Sequence, residues 1–247
     1  MLDKSIEKLQ KKFVAIKKME YVKTVRNGST GVGATFEYLL EKNEESFEIP
    51  DFEGIEIKTR RSYSKAFISL FNAVPTGRHF HETKRLRDNY GYPNRNDSNL
   101  RELYTEVYVP YATKVGLWFY FQLKVDYEKQ KLFLLVFDYK NELIDDSTYW
   151  DFDILREKLE RKLQVLALVK AWPNRINGCE YFKYYRMNIF LLRDFEFFIR
   201  AIEKGYVRLS LKIGSYDIPE KYGMVREHGV SFTIREEDLL EVFEIYR

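Results

Sequence analysis

Asp51, Glu56 and Lys58 lie within the run PDFEGIEIKTRR at residues 50–61. Two carboxylates and an amine this close could serve phosphodiester hydrolysis. A polyanionic ester resists attack until a divalent cation is held, a water is activated and the departing charge is neutralised. Asp51 and Glu56 offer hard oxygen ligands suited to Mg2+. Lys58 can orient or deprotonate the water, or balance charge on the scissile phosphate. Strand side chains alternate between faces, so Glu56 and Lys58 would project together, about 6 to 7 Å apart, while Ile55 and Ile57 face the other way. One face is then wet and charged and the other can be core. An ordinary amphipathic strand accounts for the same alternation and leaves Asp51, Arg60 and Arg61 as surface charge. An acidic-x-lysine triplet also arises often by chance in a chain with 32% charged residues.

The elements that would position these groups can be read on either side. Leu2, Ile6, Leu9, Phe13 and Ile16 recur at helical spacing and predict an opening amphipathic helix. The run NGSTGVGATFEYLLEK then reads as a glycine-rich loop entering a second helix, with Ser29 or Thr30 near its N-cap and Glu37 about one turn inside. Residues 65–71 read as a strand, and 115–125 with 131–138 as a hairpin. Leucines at 155, 159, 163 and 166 predict a helix from Asp151 to Lys170, stopped by Pro173. Residues 181–192 read as a strand, Phe195 to Ile202 as a helix ended by Gly205, and Val207 to Ile213 as a strand. A short strand, VSFTI, and a helix from about Glu236 close the chain. The polar segment 76–102 is long for a structureless connection and is expected to face a ligand.

Composition narrows the function classes. The chain has 247 residues, enough for one large domain or two lobes that share a sheet. Net charge is only +3, so basicity that matters must be local. It gathers at residues 58–65 and 78–95, directly after the acidic pair. One cysteine, Cys179, excludes an intramolecular disulfide and a cysteine-rich zinc site. The charged N-terminus and the lack of a long apolar run point to a soluble cytoplasmic protein without a membrane association. GSTGVGAT lacks the Lys-Ser/Thr ending of a phosphate-binding loop, so no nucleotide cofactor is expected and tight packing beside the sheet or DNA is the simpler reading. His79 and His81, an i, i+2 pair, and His228 lack a zinc-ligand framework.

Proline-aspartate followed by acidic-x-lysine on a strand resembles the motif of the PD-(D/E)XK nucleases. The order of NGSTGVGATFEYLLE, PDFEGIEIKTRR and SKAFISLF, with YGYPN, LRELYTEV and HGVSFTI further on, resembles the MvaI/BcnI family of restriction endonucleases, the MutH-like branch of that superfamily. The resemblance implies an α/β, restriction-endonuclease-like fold with a mixed central sheet flanked by helices, in two lobes around a DNA cleft. The expected division is a catalytic lobe at residues 1–140 and a DNA-recognition lobe at 141–247. It implies a Mg2+-dependent DNA endonuclease, Mn2+ being tolerated, with Glu37, Asp51, Glu56 and Lys58 at its centre. Its partner would be double-stranded DNA, cut by a monomer through sequential nicking at a short pseudopalindrome of the CC-N-GG type, with a cognate DNA methyltransferase in the same cell. DNA contacts are expected from Arg60, Arg61, Arg78, His79, His81, Arg226 and His228, the last two in the major groove and the segment 78–81 in the minor. The alternative is a catalytically silent or repair-type DNA-binding protein on the same fold.

Overall fold

A computed structural model describes residues 2–40, 50–76 and 81–247. The chain begins with α1 (Leu2–Lys18), β1 (Val22–Lys23), α2 (Gly31–Leu39), β2 (Ile55–Arg61) and β3 (Ile68–Asn72). It continues through α3 (Glu82–Tyr90), β4 (Tyr92–Pro93), β5 (Arg101–Val107), β6 (Thr113–Val115), β7 (Phe119–Asp126), β8 (Lys131–Asp138) and β9 (Leu143–Asp151). The remainder is α4 (Phe152–Leu163), β10 (Val165–Ile176), β11 (Cys179–Leu192), α5 (Phe195–Glu203), β12 (Val207–Ser215), β13 (Val225–Ile234) and β14 (Phe243–Ile245). No helix among the described residues is long and apolar enough to cross a membrane.

Two units interleave along the sequence. The first comprises Met1–Ala66, Leu159–Arg193 and Phe243–Arg247, and the second Phe67–Lys158 and Asp194–Val242. A single cut near residue 140 therefore does not separate them, because β2 finds its strand partner in β10, with Ile55 opposite Val165.

The first unit is built on a mixed sheet in the order β1-β11-β10-β2, with β14 also on β11. Only β2 and β10 run parallel; the other pairs are antiparallel. The apolar stripe of α1 buries Ile6, Leu9, Phe13 and Ile16 together with Phe36 of α2. They pack against one face of the sheet, formed by Ile55 and Ile57 of β2, alternate residues from Val165 to Ala171, and Phe182 and Tyr184 of β11. The opposite face carries Glu56, Lys58 and Arg60, in register with Leu166, Leu168 and Lys170, and Leu166 and Leu168 are buried there too.

The second unit contains a sheet in the order β3-β13-β12-β5-β4 and a four-stranded antiparallel sheet, β6-β7-β8-β9. Phe71, Phe198, Phe232 and Trp150 cluster in its core, ring to ring.

Two expected helices are corrected. The helix predicted to reach Lys170 stops at Leu163, and VLALVKA opens β10. That run is buried continuously from Val165 to Val169, as a strand covered on both faces requires, and Leu166 falls in helical phase with Leu163 by coincidence. Pro173 lies inside β10 but beyond its last pair with β2, Ala171 and Arg61, where a missing N–H costs no ladder bond on that side. The closing helix is a 3-10 turn, Glu236–Glu241, followed by β14.

Candidate active site

A tight turn brings the two carboxylates together. Glu53 and Gly54 have φ of 45° and 89°, and Phe52 and Ile55 exchange N–H···O bonds of 2.8 Å in both directions. This is a two-residue hairpin turn, and glycine at the second position takes its left-handed backbone without steric cost. The next pair outward, Asp51 and Glu56, then stands opposite with side chains on one face. Asp51 Oδ2 accepts the Ile57 N–H at 2.9 Å. That donor is left over at the sheet margin, since β2 has a neighbouring strand only on the β10 side among the described residues.

Glu56 is 2% exposed, so the face expected to be wet is dry at its most important residue. Its Oε1 accepts Lys58 Nζ at 2.6 Å and lies 3.5 Å from Lys162 Nζ. Its Oε2 is buried and has no hydrogen-bond partner. Burial pushes the Glu56 carboxyl above its ordinary range, and the nearby Asp51 pushes the same way, against the opposing pull of Lys58 and Lys162. Leaving a buried acceptor unsatisfied costs on the order of 1–3 kcal/mol, more for a charged group, so this arrangement does not arise for stability.

Lys162, in the last turn of α4, was not among the expected site residues. The helix sequence FDILREKLERKL is charged throughout, and nothing in its pattern separates a lysine turned toward Glu56 from one in solvent. Its place at a helix C-terminus suits a cation, because the helix dipole is negative there.

The donor set fits a divalent cation. Hard carboxylate oxygens from Asp51 and Glu56 converge, and the buried Glu56 Oε2 lacks the partner that such an ion would provide. No group of three or more Asp, Glu, His or Cys side chains forms a metal cage among the described residues. Two carboxylates with the remaining positions left to water and phosphate is a usual arrangement for Mg2+.

Glu37 belongs to the helix side of β2. Gly33, one turn earlier, has Thr59 Oγ1 only 3.1 Å from where a Cβ would stand and Glu37 Oε1 at 3.9 Å, so the glycine lets α2 close onto the strand. The half-buried Glu37 carboxylate is felt by the Tyr184 hydroxyl, which donates to Val32 O at 2.7 Å. The fold thus brings Asp51, Glu56, Lys58 and Lys162 together, while Glu37 stands on α2 one turn after Gly33, where that helix meets Thr59 of β2.

Arg60 and Arg61, expected on DNA, are engaged with the fold. Arg60 is 7% exposed and donates to the carbonyls of Ser64 and Ala66 at 2.7 and 2.6 Å. Arg61 grips Glu180 with two bonds, 2.8 and 2.7 Å, and donates to the carbonyls of Gly28 and Ser29. It therefore fixes the glycine-rich loop that leads into α2.

The comparisons with known proteins bear on this arrangement directly. The MvaI/BcnI restriction endonuclease family model matches residues 10–243. The chain belongs to that family. The solved "Restriction endonuclease MvaI-cognate DNA substrate complex" is 33% identical, with 98% of this chain and 97% of that one covered and a TM-score of 0.89. The solved "Restriction endonuclease MvaI in the absence of DNA" is 32% identical over 98% and 96% of the two chains, with a TM-score of 0.65. Comparison with curated proteins finds no match. The expected restriction-endonuclease-like α/β fold is thus the observed one.

For an MvaI/BcnI-type chain the remaining expected residues fall in the second unit. Arg226 and His228 are exposed on β13. Lys212 pairs with Gly229 and Ile213 with Glu227, so His228 is the extra residue of a β-bulge, a device that re-aims side chains out of a regular ladder. The Arg226 guanidinium lies 5.5 Å from the Tyr216 ring and the His228 ring 6.2 Å from that of Tyr104. Thr83 of α3 donates to Glu227, and the exposed His81 precedes α3 with a φ of 83°. The base of the His81 segment is thereby tied to the segment carrying Arg226 and His228. Arg78 and His79 lie outside the described residues.

Proposed function

We propose that this protein is a Mg2+-dependent DNA endonuclease that hydrolyses phosphodiesters at a short pseudopalindromic site of the CC-N-GG type. The observation that carries the reading is the buried, unpartnered Glu56 Oε2 beside Asp51, with two lysine amines on the other oxygen. A divalent cation held by Asp51 and Glu56 would act as Lewis acid on the phosphoryl oxygen and lower the pKa of attacking water. Lys58 holds Glu56 Oε1 and so fixes which oxygen remains for the cation. With its side chain 26% exposed, Lys58 can also reach a water or the phosphate from that position. As water adds to phosphorus and the ester P–O bond breaks, negative charge grows on the phosphoryl and leaving oxygens. The ammonium groups of Lys58 and Lys162 are fixed charges that offset it without reorganising. Mn2+ would substitute for Mg2+, and Asp51 adds a second hard donor.

DNA as substrate is supported by family membership and by the related MvaI protein, which has been solved with cognate DNA. Arg226 and His228 are the candidates for reading bases, since an arginine pairs bidentately with guanine O6 and N7. The described residues form one such carboxylate cluster, so action as a monomer by successive nicking is the expected course, in a cytoplasm where a cognate DNA methyltransferase protects the host's own sites. A catalytically silent DNA-binding protein is the weaker reading, because a pure binder gains nothing from two carboxylates facing phosphates.

Incubation with supercoiled plasmid and Mg2+, followed by sequencing of the ends, tests the proposal. The expected result is nicked circles accumulating before linear DNA, with ends at one short sequence. Undamaged plasmid, or activity undiminished in EDTA, would overturn it.

A further inference from the structure

The sheet face that carries Glu56 does not end at the carboxylates. Beyond the last pair with β2, strands β10 and β11 run on as a ribbon, with the short β1 on the far edge of β11, to a turn at Asn177 and Gly178, both with positive φ. The inner side chains of this pair, Ala171, Phe182 and Tyr184, are buried in the core. By alternation Lys170 and Trp172 of β10 share the face of Glu56 and Lys58. Lys170 pairs with Arg186 and Ala171 with Tyr184, so Tyr185 is an extra residue that joins Arg186 on the face of Lys170 and Trp172. The rings of Trp172 and Tyr185 stack at 5.0 Å with 20° between their planes, yet Trp172 remains 48% exposed. Arg186 is exposed and Lys170 half-buried beside this pair.

A tryptophan left exposed on a stacked, half-buried tyrosine and flanked by cations does not serve a core. Aromatic faces and basic side chains in one strip are the combination by which proteins hold nucleic acid. The strip also continues from the catalytic face. Lys170 stands level with Arg60, four residues beyond Glu56, and Trp172 two residues further. At about 3.3 Å per residue these are roughly 13 and 20 Å from the carboxylates along the strand. A nucleic acid strand carries one phosphate per about 3.4 Å, so the distances correspond to about 4 to 6 nucleotides.

We propose that the β10–β11 ribbon is a second DNA contact, in which Lys170 and Arg186 meet backbone phosphates and Trp172, backed by Tyr185, packs on the sugar–phosphate or an exposed base, about 4 to 6 nucleotides from the cut bond. The inference rests on the DNA-cleaving reading above. It assigns the ribbon to duplex flanking the recognised sequence, a contact that adds affinity without choosing bases.

Duplexes ending about 1 or about 12 base pairs beyond the site, compared by fluorescence anisotropy in EDTA over a range of salt, test it; for a bond cut near the middle of a five-base-pair site these ends fall on either side of the proposed reach. Wild type should bind the longer duplex several-fold more tightly. Lys170→Ala/Arg186→Ala should abolish that advantage and flatten the slope of log K against log salt by about 1 to 2, at about 0.9 per lost phosphate contact. The charge-preserving pair Lys170→Arg/Arg186→Lys should restore both. Trp172→Ala should lose affinity only on the longer duplex, and Trp172→Phe should keep it. An unchanged slope and length advantage in the alanine pair would overturn the proposal. So would loss of self-association in sedimentation without loss of DNA binding, which would assign the face to a second copy of the chain. Normal short-duplex binding with no length advantage defeats the ribbon alone, whereas no binding to either duplex defeats the functional reading beneath it.

Discussion

Two clusters of buried charge, one in each unit, are built from the same residue types and finished differently. In the second unit Arg85 donates to Asp145 Oδ2 at 2.5 Å and to Glu82 Oε1 at 2.6 Å. Thr148 donates to Glu82 at 2.5 Å, Tyr90 to Asp145 at 2.6 Å, and Ser147 to Asp145 through both its N–H and its hydroxyl. Burial would raise the Asp145 carboxyl, but these donors outweigh it and bring it down to about 2. The same carboxylate pushes the Tyr90 hydroxyl, already raised by burial, up to about 12. In the first unit Glu56 is as buried as Glu82, but its Oε2 has no donor and its carboxyl is raised. A charge cluster that serves the fold closes on itself. One that serves chemistry leaves an atom for something the chain does not supply, at a cost to stability.

The largest effect separating the two should be on cleavage. Asp51→Ala, Glu56→Ala and Lys58→Ala are each expected to lower the plasmid cleavage rate by orders of magnitude with folding retained, and Lys162→Ala to lower it less, since its amine stands at 3.5 Å from Glu56 rather than 2.6 Å. Single-turnover assays alongside circular dichroism check this; an Asp51→Ala protein that cuts normally would be decisive against it.

Asp145→Ala should act on the other quantity. Removing Asp145 leaves Arg85 with Glu82 as its acidic partner and strips Tyr90 and Ser147 of their acceptor, and the expected loss is about 2 to 3 kcal/mol in urea unfolding. Unchanged stability would mean that the second cluster is not the closed structural network described.

Specific recognition comes next in size. Arg226→Ala and His228→Ala should each weaken binding to the cognate duplex by about 1–3 kcal/mol, the worth of one good base contact, with little change on a scrambled duplex. Equal losses on both would move these residues to the phosphates, and no loss would remove the bulged segment of β13 from recognition.

The pH dependence of stability should carry opposite signs in the two clusters. Asp145, depressed to about 2, contributes stability that is complete above the ordinary aspartate range and is lost as pH falls through about 2. Glu56, raised, favours the fold when protonated, so its contribution is lost as pH climbs from the ordinary glutamate range through its raised value. Melting curves of Asp145→Asn should therefore flatten the acid limb, and those of Glu56→Gln the fall above it.

Sequence made one cluster more legible than the other. Asp51, Glu56 and Lys58 sit within eight positions, so strand alternation and a family resemblance expose them together. Glu82, Arg85 and Asp145 meet only because α3 packs near β9, a pairing that local pattern does not encode. Lys162 was hidden for the same reason, and its helix was misjudged where leucine phase ran on into β10. The helices α1 and α5 and the β7–β8 hairpin were legible because their signals, a periodic apolar stripe and a polar turn, are local. The interleaving of the units was not, since it depends on β2 finding β10 across Phe67–Lys158, the larger part of the second unit. Arg60 and Arg61 looked like surface charge for DNA, and only the geometry of nearby carbonyls turns them inward.

The central claim is that the Glu56 cluster is completed by a divalent cation. Thermal unfolding at mildly alkaline pH, with Mg2+ titrated into metal-free protein, tests it most directly. A cation bound only by the folded state should raise the melting temperature of wild type, by about 2.7 kcal/mol in stability at a hundred times its dissociation constant. Glu56→Gln should show little or no such rise. Equal stabilisation of both proteins, or of neither, would contradict the account.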